Sequence, residues 1–144
     1  HLANDIDGQK KEIQYSDSLL NVYKTEMEND PASVVKLKED QKKKDNDLTA
    51  LKKERDNAFA KQQAVWNNDD NFILKYDTAG NIIPKKYDDF KPTPKIEWNR
   101  WNSIYKQKKT DVKNLDKDIN KIKKDIAKRA LFELCNFLCE VLND

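Results

Sequence analysis

Few side chains in this 144-residue chain could do chemistry, and their spacing suits it poorly. The single histidine is His1, at the start of the sequence. An imidazole acting as general base must be held by its neighbours, and a chain end offers little hold. The only two cysteines, Cys135 and Cys139, are four residues apart. On a helix both fall on one face, where a bridge between them conflicts with helix geometry. No histidine or third cysteine accompanies them, so they read as small core residues rather than metal ligands. Carboxylates are plentiful, yet Asp45/Asp47 and Asp116/Asp118 are spaced i,i+2, which points each pair to different faces of a helix. "NNDDN" at 67–71 is the one dense acidic cluster in a loop. It lacks the glycine and closing glutamate of a twelve-residue calcium loop and reads as a helix terminator. No glycine-rich phosphate loop and no G-x-S-x-G elbow occur. The expectation is a protein that is not an enzyme, with no cofactor, no metal and no small-molecule substrate.

Composition says what kind of scaffold these residues belong to. Charged residues make up 38% of the chain and hydrophobic ones 37%, with only 2 Gly. That is too little apolar mass and too few turn residues for a compact sheet protein, and it suits long helices with a narrow apolar stripe. Lys and Arg total 28 against 26 Asp and Glu, a net charge of +2. The signs interleave, so no strong long-range attraction to nucleic acid or an anionic membrane follows. No apolar stretch approaches the ~18–20 residues of a membrane span. The lack of a disulfide framework and of any Asn-x-Ser/Thr sequon favours an intracellular setting. The sequence opens on His1 rather than Met, so targeting is not legible.

The apolar periodicity predicts three helices in a single elongated domain. The first runs from about 9 to 28, with Ile13, Leu20 and Met27 at seven-residue spacing and Leu19, Val22 and Tyr23 widening the stripe. "NDPAS" punctuates the chain, with Asp30 as N-cap and Pro31 at the first position of a helix over about 31–67. We favour a reversal of the chain there. In this second helix Leu37, Leu51, Ala58 and Val65 share one heptad position with Lys44, while Gln41, Leu48, Arg55 and Gln62 hold the other. That seam is polar and needs a better partner. The third helix, about 94–142, supplies one. Thr93 reads as its N-cap and Pro94 as its first residue. Trp101, Tyr105, Lys108, Val112, Leu115, Ile119, Ile122 and Ile126 then alternate by four and three, a heptad ladder with one polar rung.

Between the second and third helices, about 71–90, the sequence predicts a β-hairpin tip with strands near 72–77 and 82–87. Gly80 and Asn81 are the residues best able to take positive φ in its turn. Pro84 confines its strand to an edge. "YDTAGNII" resembles one unit of the YD-repeat of large bacterial β-shell proteins. The resemblance covers eight residues in one copy and implies shared turn chemistry. Trp66, Trp98 and Trp101 would cushion the hairpin, with Tyr76, Tyr87 and Phe90 facing out.

The closing stretch, "RALFELCNFLCEVLND" at 129–144, is apolar over most of its circumference. Glu133, Asn136, Glu140 and Asn143 form one thin polar stripe. A three-helix base covers part of the rest, and the surplus predicts association through Leu131, Leu134, Phe137, Leu138 and Val141. The fold expected is mainly α, an antiparallel three-helix bundle of coiled-coil type with a hairpin tip. The function expected is a structural or protein-interaction module. It would assemble through its base, as a homo-oligomer or part of a larger phage or secretion-type assembly. Its tip would present Trp66, Phe72, Tyr76, Tyr87, Phe90, Trp98 and Trp101 to a protein partner. Two other readings compete. Basic runs at 42–44, 106–109 and 121–129 suggest a nucleic-acid-binding helical protein, although acidic residues interrupt them. A tongue between long helices suggests a membrane-acting protein, although Lys75, Asp77, Lys85, Lys86 and Asp88 make this one polar.

Overall fold

The computed structural model describes residues 2–143. Three helices carry most of the chain, α1 (Leu2–Asn29), α2 (Val34–Asn67) and α3 (Pro92–Asn143). Two short 3-10 turns, Asp69–Asn71 and Tyr87–Asp89, lie in the connection between α2 and α3. The protein is mainly helical, and α2 and α3 pack together. Its contacts fall into two units. The first is His1–Asp45 with Lys117–Asp144, and the second is Asn46–Asp116.

The heptad pattern explains the packing in each unit. In the second unit Ala58, Gln62 and Val65 of α2 are buried, as is Val112 of α3. Leu48, Leu51 and Arg55 are half-buried, as are Trp101, Tyr105, Lys108 and Leu115. The Phe59 and Tyr105 rings lie 5.1 Å apart, and Gln62 donates through Nε2 to Asn102 Oδ1 at 2.9 Å. The lone polar rung of α3 is neutralised across the seam, where Lys108 Nζ reaches Glu54 Oε2 at 2.7 Å. That hydrogen bond, reinforced by the charge of Glu54, holds the Lys108 ammonium above its ordinary pKa. Partners on α3 step down in number as those on α2 step up, so the helices are antiparallel here. In the first unit Ile119 and Ile122 are buried, while Leu37, Gln41, Lys44 and Ile126 are half-buried.

The helix starts differ from the sequence expectation, those of α2 and α3 for a capping reason. α1 begins at Leu2 rather than near residue 9, with Gly8 inside it. α2 begins at Val34, because Ser33 and not Asp30 is its N-cap. The Ser33 hydroxyl accepts from the Lys36 N–H at 3.2 Å, and the Ser33 carbonyl takes the first helical bond, from Leu37. Asp30 and Pro31 belong to the preceding turn, where Asp30 Oδ1 accepts from the Ala32 N–H at 2.9 Å. α3 begins at Pro92, with its first backbone bond running from the Lys95 N–H to the Lys91 carbonyl. Pro92 therefore takes the first helical position assigned to Pro94, and Thr93 is not the cap. Both prolines fit within the first turn, where N–H groups lack intrahelical partners anyway.

The stripe on α1 is only partly covered. Leu19 and Leu20 are half-buried, while Ile13 and Val22 are exposed. The side chains of Tyr23 and Met27, and all of His1, lie outside the described residues.

No β-strand occurs among the described residues, so the expected hairpin is not formed. Two isolated antiparallel bridges replace it, Phe72 with Phe90 and Tyr76 with Ile82. Between the bridges one limb has residues 73–75 and the other 83–89. Limbs of such unequal length cannot share one ladder register. Pro84, which has no N–H to donate, and the turn Tyr87–Asp89 take up the surplus. The tight turn itself is as expected. Gly80 has φ +85°, while Asn81 does not need positive φ. Asp77 Oδ1 accepts from the N–H groups of Ala79 and Asn81 at 2.9 and 2.8 Å.

Candidate functional site

The aromatic residues around the α2–α3 connection form a small core in the second unit. Val65, Phe72 and Phe90 are its buried centre, with Trp66, Leu74, Trp98 and Trp101 packed against it. Phe72 and Phe90 stack at 4.1 Å between centroids. Trp66 presents its face or edge to both in T-shaped contacts at 5.3 and 5.6 Å. Trp98 packs against Phe90 at 6.0 Å and Trp66 at 6.3 Å.

The connection also closes the end of α2, whose last carbonyls have no intrahelical donors. Asn71 Nδ2 donates to the Val65 carbonyl at 2.9 Å. Lys85 Nζ donates to the Trp66 carbonyl, pairs with Asp69 Oδ1 at 2.8 Å and lies 4.5 Å from the Phe72 ring centroid. A cation at a helix carboxyl end also opposes the helix dipole. The sequence offered Lys85 only as one charge among several. Its place, nineteen positions from Trp66, follows from how the loop returns. Asp89 performs a similar service for the second limb. Its Oδ2 accepts from the Lys86 N–H at 2.9 Å and its Oδ1 faces Lys75 Nζ at 3.2 Å. The backbone bond from Lys86 and then the Lys75 side chain hold its pKa below the ordinary carboxylate value.

This packing sorts the residues expected to meet a partner. Phe72 and Phe90 are only 3% and 5% exposed. Phe90 therefore faces the interior rather than solvent, because the bridge to Phe72 turns both rings onto Trp66. Trp66, Trp98 and Trp101 are half-buried. Tyr87 keeps an accessible edge, but its ring lies 5.4 Å from Trp98 and its hydroxyl donates to Asn99 Oδ1 at 2.7 Å. Tyr76 is 57% exposed, and Ile73, Ile82 and Ile83 are exposed with it. An open cleft of about 460 Å³ adjoins the core, lined by Lys61, Asn68, Asn71, Glu97 and Trp101 among others. Among the described residues no group of three or more His, Cys, Asp or Glu is placed to hold a metal ion. In the "NNDDN" segment Asn68 caps the 3-10 turn and Asp69 is paired with Lys85.

The closing block of α3 lies in the first unit, and the start of its polar stripe, Glu133 and Asn136, is half-buried there while Glu140 and Asn143 are exposed. Glu133 Oε1 accepts from the Val34 N–H at 3.0 Å, capping the start of α2. Arg129 lies 3.6 Å from the same oxygen and pairs with Asp30 through Nη2. The Arg129 guanidinium also covers the Phe132 ring at 4.5 Å. A carboxylate at a helix amino end is favoured by the dipole and by the orphan N–H groups. With Glu133 turned inward, the opposite face of α3 turns outward. Leu131, Leu134 and Leu138 are exposed, and Phe137 and Val141 are half-buried. Cys135 and Cys139, expected in the core, are exposed with their thiols unbridged, because they share the outward face of α3.

Compared with known families, curated proteins and solved structures, the chain matches none. Among the described residues no helix is long and apolar enough to cross a membrane.

Proposed function

We propose that this chain is a non-enzymatic protein-interaction module that assembles through the outward face of the α3 closing block. The observation that carries the reading is the exposure of Leu131, Leu134, Leu138 and Leu142 at 65%, 53%, 43% and 77%. They lie on one helix face, whereas monomers ordinarily leave large apolar side chains scattered. Fully burying an exposed leucine is worth roughly 1.5–3 kcal/mol, and these four keep 43–77% of their surface to bury, so the set on each of two copies together can offset the entropic cost of association. A three-helix base of α1, the start of α2 and the end of α3 belongs to the same proposal, supported by half-buried Leu19 and Leu20. The loop core then serves as a rigid mount for a second contact region, with Tyr76, Ile73 and Ile82 as the accessible residues for a protein partner.

Sedimentation velocity over a range of concentrations tests the reading. The wild-type chain should sediment above its monomer mass of 16.9 kDa. Leu134→Asp should raise the dissociation constant at least about tenfold, because it buries a charge in the contact. A wild-type mass of one chain at every concentration would overturn assembly through this face.

A further inference from the structure

The geometry points to one occupant for that outward face: the same face of a second copy, packed antiparallel about a twofold axis level with the Asn136–Phe137 peptide. This inference rests on the assembly reading above and adds the partner, the orientation and the register. Leu131, Cys135, Leu138 and Leu142 step by four, three and four along α3, with Leu134 and Cys139 beside them. That is the spacing of a helix-packing seam. All six are exposed with the helices of the unit in place.

An isologous contact must be complementary to itself. Antiparallel pairing about this axis sets Leu131 against Leu142 of the second copy, Leu134 against Cys139, and Cys135 against Leu138. Each of these six seam positions meets an apolar or thiol position. No charge enters the seam, because Glu133 and Glu140, seven residues apart, share the polar stripe on the other side of the helix, where Glu133 accepts from the Val34 N–H. Complete coverage of what Leu131, Leu134, Leu138 and Leu142 leave exposed, 65%, 53%, 43% and 77%, would bury about 1,000 Å² for the pair, near the lower bound of a specific interface.

Charge selects antiparallel over parallel. Upstream on the same side of α3 stand Lys117, Lys121, Lys124 and Lys128, all exposed. A parallel pair in register would set each lysine against its own copy, and like charges across an interface are strongly disfavoured. In the antiparallel pair the two lysine rows leave the overlap in opposite directions.

Crosslinking tests the register. In a Cys135→Ala, Cys139→Ala background, Leu131→Cys and Leu142→Cys variants are treated with a short bis-maleimide, separately and mixed. The mixture should give crosslinked dimer at least about tenfold above either variant alone, since identical positions lie about 16 Å apart along the axis, eleven residues at 1.5 Å each. Self-crosslinking of either variant overturns the orientation. A second variant leaves the seam leucines untouched. With a spin label on Lys128→Cys in the same background, antiparallel packing separates the labels by about 25 Å along the axis, and a parallel pair would bring them within about 15 Å. Close labels, or no measurable pair distance, overturn the proposal. If the wild type still exceeds one chain mass and Leu134→Asp lowers it, only the pairing has failed. If the wild type is a single chain, the assembly reading has failed with it.

Discussion

Phe90→Ala should destabilise the second unit by about 3–5 kcal/mol, the usual cost of removing a buried phenylalanine ring. Phe90 is 5% exposed and its ring meets those of Trp66, Phe72, Tyr87 and Trp98. Collapse cannot easily fill the gap. The Ile73 N–H bond to Asp89 and the Lys91 N–H bond to Asn71 hold both limbs beside the ring. With a urea slope of about 2 kcal/mol per molar, the midpoint should fall by roughly 2 M. Tryptophan fluorescence reports this unit alone, because Trp66, Trp98 and Trp101 all belong to it and are the chain's 3 tryptophans. Tyr76→Ala is the control, and its exposed ring should matter by no more than about 0.5 kcal/mol. If Phe90→Ala left the midpoint within about 0.5 M of wild type, or Tyr76→Ala cost as much, the core assignment would be refuted. Phe90 would then be a contact residue after all.

Ser33→Ala should cost about 1 kcal/mol by removing the α2 N-cap, and Ser33→Gly only a few tenths, measured by thermal melting followed by circular dichroism. Lys85→Met keeps the aliphatic stem but strips the donor from the Trp66 carbonyl. A loss of about 1 kcal/mol in urea is expected, and no loss would mean that water replaces it freely. Asp89 has its folded pKa below the unfolded value, so its contribution is present above the unfolded carboxylate pKa. It is lost as pH falls through the folded one. An NMR titration should find its pKa below the ordinary aspartate value. Lys75→Met should raise it only in part, since the Lys86 N–H is the larger cause.

Much of the helical framework was legible because heptad spacing is a local property that survives in the fold. Every member of the α3 ladder from Trp101 to Ile126 is buried or half-buried, and so is every α2 seam residue named beside it. The turn at Asp77–Asn81 was legible for the same reason, since a glycine with positive φ and an aspartate side chain close it locally. The exact caps were less so. Asp30 and Ser33 are both good caps in sequence, as Pro92 and Pro94 are both good first residues, and the choice was made by the surrounding turn.

What the tertiary structure alone decided is how distant segments meet. β-propensity suggested strands on both limbs of the connection, but the limbs differ in length between the two bridges, and a ladder needs equal spacing. Sequence put Phe72 and Phe90 among the contact residues, with Phe90 facing out, and the stacking of the two rings placed both inside. The closing block shows the same division most clearly. Sequence established that polar residues form a thin stripe on an apolar helix, which ordinarily puts the stripe in water. The structure turns Glu133 inward, because the start of α2 offers an unpaired N–H and Arg129 supplies a countercharge. Helix periodicity sets which residues share a face, and only the neighbouring elements set which way that face points.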